Sequence, residues 1–462
     1  MTIRSLLVAN RGEIAVRIVR AARALGIRTV QAHSAADADM LAVRLADEAV
    51  DIGPPAAGKS YLNIAAVVAA AKAAGVDAVH PGYGFLAENA DFADAVEAAG
   101  LIFIGPKGDA IRLLGDKVAA REIAARAGVP TVPGSAGRIE SLDEAREIVA
   151  AIGFPVMIKA AAGGGGRGIR IATDRDDLER HFPQAAAEAK AAFGDGGLYL
   201  EKVIGKARHV EVQILGDGEN FIHCFERECS LQRRRQKVWE EAPAFLLPPD
   251  VRQRLCDSAV ALAREVGYRG AGTVEYLYDE AARQFYFIEV NTRIQVEHPV
   301  TEMVTGIDLI EEMIRIAGGA PLSLTQEEVV LNGHAIECRI NAEDPARNFM
   351  PGPGRVEALT VPQGEGIRFD TMLYEGYTIP PFYDSLVGKL IVWAETRDAC
   401  IGKLKGALET LEITGIPTTV PLHLALAEDA CVRRGAVDTR FLEAWLETGF
   451  AAEAVQKKGV AR

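Results

Sequence analysis

Residues 154–173 read FPVMIKAAAGGGGRGIRIAT. An apolar run ends in Lys159, a second runs from Ile169 to Ala172, and Gly163, Gly164, Gly165, Gly166, Arg167 and Gly168 join them. Short apolar runs bounded by glycine predict strands. Glycine accepts positive φ and lets backbone N–H groups close over phosphates. A flexible linker is the other reading of a glycine run, but linkers seldom lie between two strands with a lysine and an arginine at their edges. The stretch predicts a small mobile domain that folds over a phosphorylated ligand, with a further helix near Gln184 to Ala192.

Upstream, Ser5 to Ala9 is apolar, Ile14, Ile18, Ala22 and Leu25 recur at helical spacing, and Thr29 to Ala32 is extended again. Apolar runs at Ala78–Val79 and Leu101–Ile104 alternate with helical stretches Ile64 to Ala74 and Phe92 to Ala99. A parallel sheet covered by helices on both faces follows. The first turn reads NRGEIA, not G-x-G-x-x-G, so the dinucleotide fingerprint is missing. Downstream, HVEVQIL, TVEYLY, QFYFIEVN and HAIECRINAED predict an antiparallel sheet with polar residues on one face, and Arg397 to Leu446 is mostly helical.

Within those strands stand groups suited to chemistry. Glu275 and Glu289 lie in apolar segments, with Asn291 on the same face as Glu289. Buried carboxylates are costly unless paired or metal-bound, and magnesium takes hard oxygen ligands beside substrate phosphates. Surface carboxylates on a half-exposed sheet are the plain alternative for either one alone. If residues 291–299, NTRIQVEHP, are extended, Asn291, Arg293, Gln295 and Glu297 share a face, where an arginine beside a carboxylate suits an oxyanion that is held and deprotonated. A solvated salt-bridge face has the same spacing. Gln232 to Lys237, QRRRQK, is the one dense basic run and reads as an anion pocket or a solvated patch.

The chain of 462 residues exceeds the length at which one core stops growing, so two or three domains are expected. A net charge of −13 disfavours a nucleic-acid binder. The six cysteines form no C-x-x-C pair and no zinc spacing, which predicts free thiols in a reducing compartment. The N-terminus lacks a signal-peptide core and no apolar run reaches membrane-spanning length, so a cytoplasmic protein is expected.

The strings ANRGEIAVRI, HPGYGFLAEN, FIGP, GDK, KAAAGGGGRG, ERECSLQRRRQK, EEAPA, GYRGAGTVEY, NTRIQVEHPVTE, GHAIECRINAEDP and YDSLVGKL together resemble the biotin carboxylase component of acetyl-CoA-type, biotin-dependent carboxylases, from about Ile3 to Leu446. The glycine loop alone is shared by many ATP-grasp enzymes. The resemblance implies an α/β chain: a Rossmann-like N-terminal domain over 1–115, an ATP-grasp fold over 116–320 with a mobile lid at 131–203, and a C-terminal α+β domain over 330–446. It implies an ATP-dependent ligase that carboxylates biotin through carboxyphosphate, as a step toward fatty acid biosynthesis where acetyl-CoA is the acceptor.

Carried over residue by residue, Lys117 and Lys159 contact ATP phosphates and the Gly163–Gly168 loop closes on them. Glu201, Lys202 and Leu277 border the adenine, and His209 and Gln232 reach the ribose side. Glu275, Glu289 and Asn291 hold Mg2+ or Mn2+, while Lys237, Arg293, Gln295 and the Val296 backbone bind bicarbonate. Glu297 is the base, Arg339 stabilises the biotin enolate, and Tyr83 with Gly84 lines the biotin site. The chain departs from the usual pattern at Arg235, Trp239 and Ala162, and at Ala24 and Glu365 of the family's self-association surface near Arg17 and Arg368. No biotin-attachment Met-Lys-Met occurs, so biotin is expected on a separate carrier protein, with carboxyltransferase subunits and a homodimeric partner. Competing expectations are another acceptor (propionyl-CoA, a 2-oxo acid or a urea-like amide), a carboxylate–amine ATP-grasp ligase, or a non-catalytic nucleotide sensor.

Overall fold

The computed structural model describes residues 2–135, 137–161 and 169–448. Its first sheet has five parallel strands in the spatial order Glu48–Asp51, Arg28–His33, Ser5–Val8, Ala78–His80 and Ile102–Phe103. Successive side chains of Ser5–Val8 leave on opposite faces. Leu6 and Val8 pack with Ile14 and Ile18 of the helix Gly12–Ala24, and Leu7 packs with Val67 and Phe92 from the helices Ile64–Ala73 and Ala90–Ala98. Helices on both faces explain the all-apolar central strand. Asn63 and Asn89 cap the latter two helices, accepting from the N–H groups of Ala66 and Phe92. The second helix therefore starts at Ala90, two residues before the apolar spacing indicates.

Where a small mobile domain is expected, Arg170–Ala172, Val156–Ala160 and Leu198–Lys202 form an antiparallel sheet. Val156, Ile158 and Ala160 pack against Leu178, Phe182 and Ala185 of the helix Arg175–Phe193. This helix runs nine residues further toward the N-terminus than expected and contains Pro183. Proline lacks the donor N–H of a helix interior, which is why the sequence pattern places the start at Gln184. Asp174 caps the true start by accepting from Asp177 N–H. The expected phosphate loop, with Gly163, Gly164, Gly165 and Gly166, lies outside the described residues.

The third sheet has eight antiparallel strands in the order Gln284–Asn291, Arg269–Asp279, Ala207–Asp217, Phe221–Arg233, Gln236–Ala242, His334–Asn341, Leu386–Ala394 and Ile367–Thr371. It runs without a break across the expected boundary near 320–330, because Gln236–Ala242 pairs directly with His334–Asn341. The C-terminal segment thus extends the same sheet that carries the acidic residues. Helices Arg397–Thr410, Val420–Glu428 and Phe441–Glu447 account for the helical tail. The cysteines are free thiols. Among the described residues, no helix is long and apolar enough to cross a membrane.

Candidate active site

The C-terminal ends of the parallel strands, the three-stranded sheet and one face of the eight-stranded sheet enclose a cavity of about 1110 Å³. On the first side, Asn10 donates from Nδ2 to the carbonyls of Pro81 at 2.6 Å and Tyr83 at 2.7 Å, tying the NRGE turn to the HPGYG loop. Gly82 between those carbonyls has φ +63°, and a Cβ there would lie 2.9 Å from Asn10 Nδ2. Glycine is therefore required for Tyr83 and Gly84 to line the cavity.

On the opposite side, paired strands bring Glu275 and Glu289 into register. Glu275 accepts from Lys237 Nζ at 2.9 Å, Asn291 Nδ2 at 2.8 Å and Gln295 Nε2 at 3.2 Å, and lies 3.1 Å from His209 Nε2. Burial works to raise its pKa, but Lys237 and His209 overcome that and hold the carboxyl below the usual range. Burial is the largest single influence on His209 and lowers it, but Glu275 and Glu211 together outweigh it, so His209 is pushed up to about 9. Glu289 is raised by burial and then by Glu275. Two neighbouring carboxylates, one resisting ionisation, with an amide oxygen at Asn291, form a donor set that fits a hard divalent cation. His209, Glu211 and Glu275 also bring potential ligand atoms within 4.8 Å of one another.

Lys237 Nζ is the hub of the buried charges. It donates to Glu211, to Glu275 and, across 2.6 Å, to Glu297 Oε1. The other Glu297 oxygen accepts from Arg339 Nη2 at 2.9 Å, and Arg339 Nε donates to Glu240 at 2.6 Å. Burial and Glu211 would raise Glu297, yet Lys237, Arg339 and Arg227 hold it below the ordinary value. Glu297 is therefore an ionised acceptor braced between two cations, wholly buried behind the cavity wall.

The expectation that Asn291, Arg293, Gln295 and Glu297 share one extended face is corrected at its end. The strand stops at Asn291, the chain turns at 296–297, and Glu297 is the N-cap of the helix His298–Thr305. Pro299 suits a helical first turn, and starting a helix there redirects the chain inward. Asn291, Arg293 and Gln295 do converge: Arg293 donates to Gln295 Oε1 at 2.8 Å and Asn291 Oδ1 at 3.2 Å.

Lys117, Lys159, His209, Gln232, Val296 and Arg339 line the cavity as well. Lys159 and Arg121 are both paired with Glu201 at its edge. Lys202 turns away to the Phe154 carbonyl at 2.6 Å, and neither it nor Leu277 lines the cavity, Leu277 standing opposite His209 in the ladder. Arg234 and Arg235 make the two-residue turn between Phe221–Arg233 and Gln236–Ala242 with φ +49° and +65°. Such turns favour Asn-Gly, so two arginines there hold strained backbone of the kind found at ligand-binding sites. Glu240 and Glu241, the carboxylates nearest Arg235 in sequence, on the strand that follows it, are taken by Arg339 and Arg397.

Two supporting residues, Arg227 and Glu88, were not marked out in the sequence. Wholly buried Arg227 binds Glu211 at 2.7 Å, Gln213 at 2.7 Å, Thr301 at 2.9 Å and Thr273 at 3.0 Å, fixing the face toward Lys237. The alternation of Glu211 and Gln213 in HVEVQIL was the available signal. Glu88, in a loop of the first sheet, binds Arg293 Nε, and no local pattern marks it.

The family models that match are "Biotin carboxylase, N-terminal domain" over residues 2–111, "Carbamoyl-phosphate synthase L chain, ATP binding domain" over 116–325, and "Biotin carboxylase C-terminal domain" over 337–444. The chain is 53% identical over 444 residues to Biotin carboxylase 1 of Bacillus subtilis, covering 96% of this chain and 99% of that one. It belongs to the biotin carboxylase family. A solved structure of the biotin carboxylase domain of a thermophilic 2-oxoglutarate carboxylase, bound to bicarbonate, superposes with a TM-score of 0.92 at 46% identity, covering 98% and 99% of the two chains. A biotin carboxylase from Campylobacter jejuni, in complex with a β,γ-ATP ligand, gives 0.90 at 47% identity, covering 96% and 99%. The chain thus has the family's ATP-grasp fold and is an ATP-dependent ligase of the biotin carboxylase type.

Proposed function

We propose that this chain uses ATP and bicarbonate to carboxylate biotin held on a separate carrier protein, giving carboxybiotin, ADP and phosphate. The observation that carries the reading is Glu297, ionised and bonded on its two oxygens to Lys237 and Arg339. A carboxylate so placed can take the bicarbonate proton while the cations hold the resulting dianion. Lys237, Arg293, Gln295 and the Val296 N–H form the bicarbonate seat. Lys117 and Lys159 meet the ATP phosphates, Glu201 borders adenine at the cavity edge, and His209 and Gln232 reach the ribose. Glu275, Glu289 and Asn291 would hold Mg2+ or Mn2+, whose charge would draw the phosphates into line.

Attack of a bicarbonate oxygen on the γ-phosphorus forms an O–P bond while the bond from that phosphorus to the β–γ bridging oxygen breaks, so ADP leaves. Carboxyphosphate then divides into CO2 and phosphate, and the phosphate removes the biotin N1 proton. Arg339 faces the ureido enolate, which captures CO2 in a seat bordered by Tyr83 and Gly84. Positioning and preorganised charge supply the catalysis. The lid is 131–203, between the Rossmann-like 1–115 and the remainder of 116–320, with 330–446 completing the site. The partners are a biotin carboxyl carrier protein, carboxyltransferase subunits and a second copy of this chain, in the cytoplasm. Acetyl-CoA is the acceptor favoured, and the choice among acyl-CoA, 2-oxo acid and urea-like amide rests with the carboxyltransferase.

The test is ADP release by the purified chain with MgATP, with and without bicarbonate and free biotin, and transfer of labelled bicarbonate carbon to biotin. Bicarbonate-dependent release with label in biotin supports the reading. Release that needs an amine and ignores bicarbonate would establish a carboxylate–amine ligase instead.

A further inference from the structure

Lys389 is wholly buried in the strand Leu386–Ala394, opposite Arg339 in register. An ammonium taken out of water is costly unless it is paired and hydrogen-bonded. Its contacts therefore report what it is for. Lys389 Nζ donates to the Val296 carbonyl across 2.7 Å and lies 3.3 Å from Glu13 Oε2. Glu13, equally buried, accepts from the Tyr83 hydroxyl on its other oxygen.

These contacts form one line from the cavity wall to the base. Tyr83 binds Glu13, Glu13 pairs with Lys389, Lys389 holds the Val296 carbonyl, and the next residue is Glu297. The other charged groups near Lys389 are spoken for or silent. Asp370 is bound to Arg368, Glu240 and Arg339 bind each other, and the Glu337 carboxyl, raised well above the ordinary value by burial, has no hydrogen-bond partner on either oxygen among the described residues. Lys389 thus divides its charge between Glu13 and one backbone carbonyl. In so dry a setting, a change at one partner alters its hold on the other.

We propose that Glu13 and Lys389 are positioning residues that link occupancy of the biotin seat at Tyr83 to the setting of the Val296–Glu297 turn that receives bicarbonate. The inference rests on the reaction proposed above. A ring pressed on Tyr83 shifts its hydroxyl and Glu13 with it, and Lys389 redistributes its bonds, moving the Val296 peptide whose N–H faces bicarbonate and whose next side chain is the base. No bond is made or broken beyond hydrogen bonds. Neither residue reacts, and both act only through Val296 and Tyr83.

The experiment is steady-state ADP release by the full chain at varied bicarbonate and varied ATP, with and without saturating free biotin. In the parent protein, biotin is expected to raise kcat/KM for bicarbonate severalfold. Lys389→Met is expected to raise KM for bicarbonate about tenfold, the loss of one charge-assisted bond, to leave KM for ATP within about twofold, and to abolish the biotin effect. Glu13→Gln retains the volume and an acceptor for Tyr83, and it is expected to cut the biotin effect by more than about half. If Lys389→Met fails to fold, Glu13→Gln decides alone. A full biotin effect in the folded variants, or KM values for ATP and bicarbonate that rise together, would overturn the link. If bicarbonate drives ADP release in the parent but biotin changes nothing, the link alone is wrong. If bicarbonate drives no release, the proposed reaction falls, and the link with it.

Discussion

Arg293 Nε donates to Glu88 Oε2 across 2.9 Å, and the same carboxylate accepts from Thr292 N–H at 3.1 Å, joining two points 205 residues apart. A loop of the first sheet thereby fixes the orientation of an arginine at the end of the third. Replacing Glu88 by Gln keeps the shape and removes the charge. KM for bicarbonate is expected to rise about threefold to tenfold, the size of one partly exposed charge-assisted bond, with KM for ATP unchanged. Steady-state kinetics with each substrate varied checks this, and an effect confined to ATP would contradict the assignment.

Arg339 bonds Glu297 and Glu240 at once, and its proposed charge faces the enolate that forms after ATP has been cleaved. Arg339→Ala is expected to lower label transfer to free biotin roughly a hundredfold, the usual cost of losing one preorganised charge, while biotin-independent ATP cleavage falls far less. Both rates are measured on the same preparation. Equal losses would place Arg339 in the bicarbonate step alone.

Arg235 is exposed at the strained turn on the cavity wall, and among the described residues no carboxylate pairs with it. An ATP phosphate is the anionic partner left to it. Arg235→His is expected to change KM for ATP by about tenfold or less, or ~1–1.5 kcal/mol for one exposed contact, and to leave the bicarbonate requirement intact. Unchanged constants would show that the guanidinium points into solvent. A loss confined to bicarbonate would put it at the other end of the site.

Burial pushes the Glu240 carboxyl up to about 7, with Arg339 opposing and Glu297 adding to the rise. An acid whose folded pKa is raised contributes stability that is fully present below its unfolded value of 4.5 and is lost as pH rises through about 7. Gln in its place mimics the protonated form at every pH. Between pH 5 and pH 8 the Tm of the parent is expected to fall relative to Glu240→Gln, read by thermal melts without nucleotide. A gap that is flat, or that moves the other way, would contradict it.

What was legible in the sequence follows from periodicity. The parallel sheet was readable because Leu6, Leu7 and Val8 are apolar on both faces, and the antiparallel sheet because Glu211 and Gln213, like Glu289 and Asn291, alternate with apolar residues. The start of the helix Arg175–Phe193 was hidden by Pro183, and the turn that buries Glu297 by an alternating pattern that persists into a non-extended segment. Contacts that join distant segments leave no local mark. Glu88 with Arg293, Glu13 with Lys389, and the pairing of Gln236–Ala242 with His334–Asn341 needed the fold.

Glu297, braced by Lys237 and Arg339, is proposed above as the base for bicarbonate. Glu297→Gln keeps the shape and a hydrogen-bonding oxygen but cannot take the proton. Calorimetric MgATP binding and bicarbonate-dependent ADP release, measured on the same variant, test it directly. MgATP affinity is expected to stay near that of the parent with turnover reduced by about a hundredfold or more, the scale of a lost general base of ~10²–10⁴. Normal binding with more than about a tenth of parental turnover would contradict it.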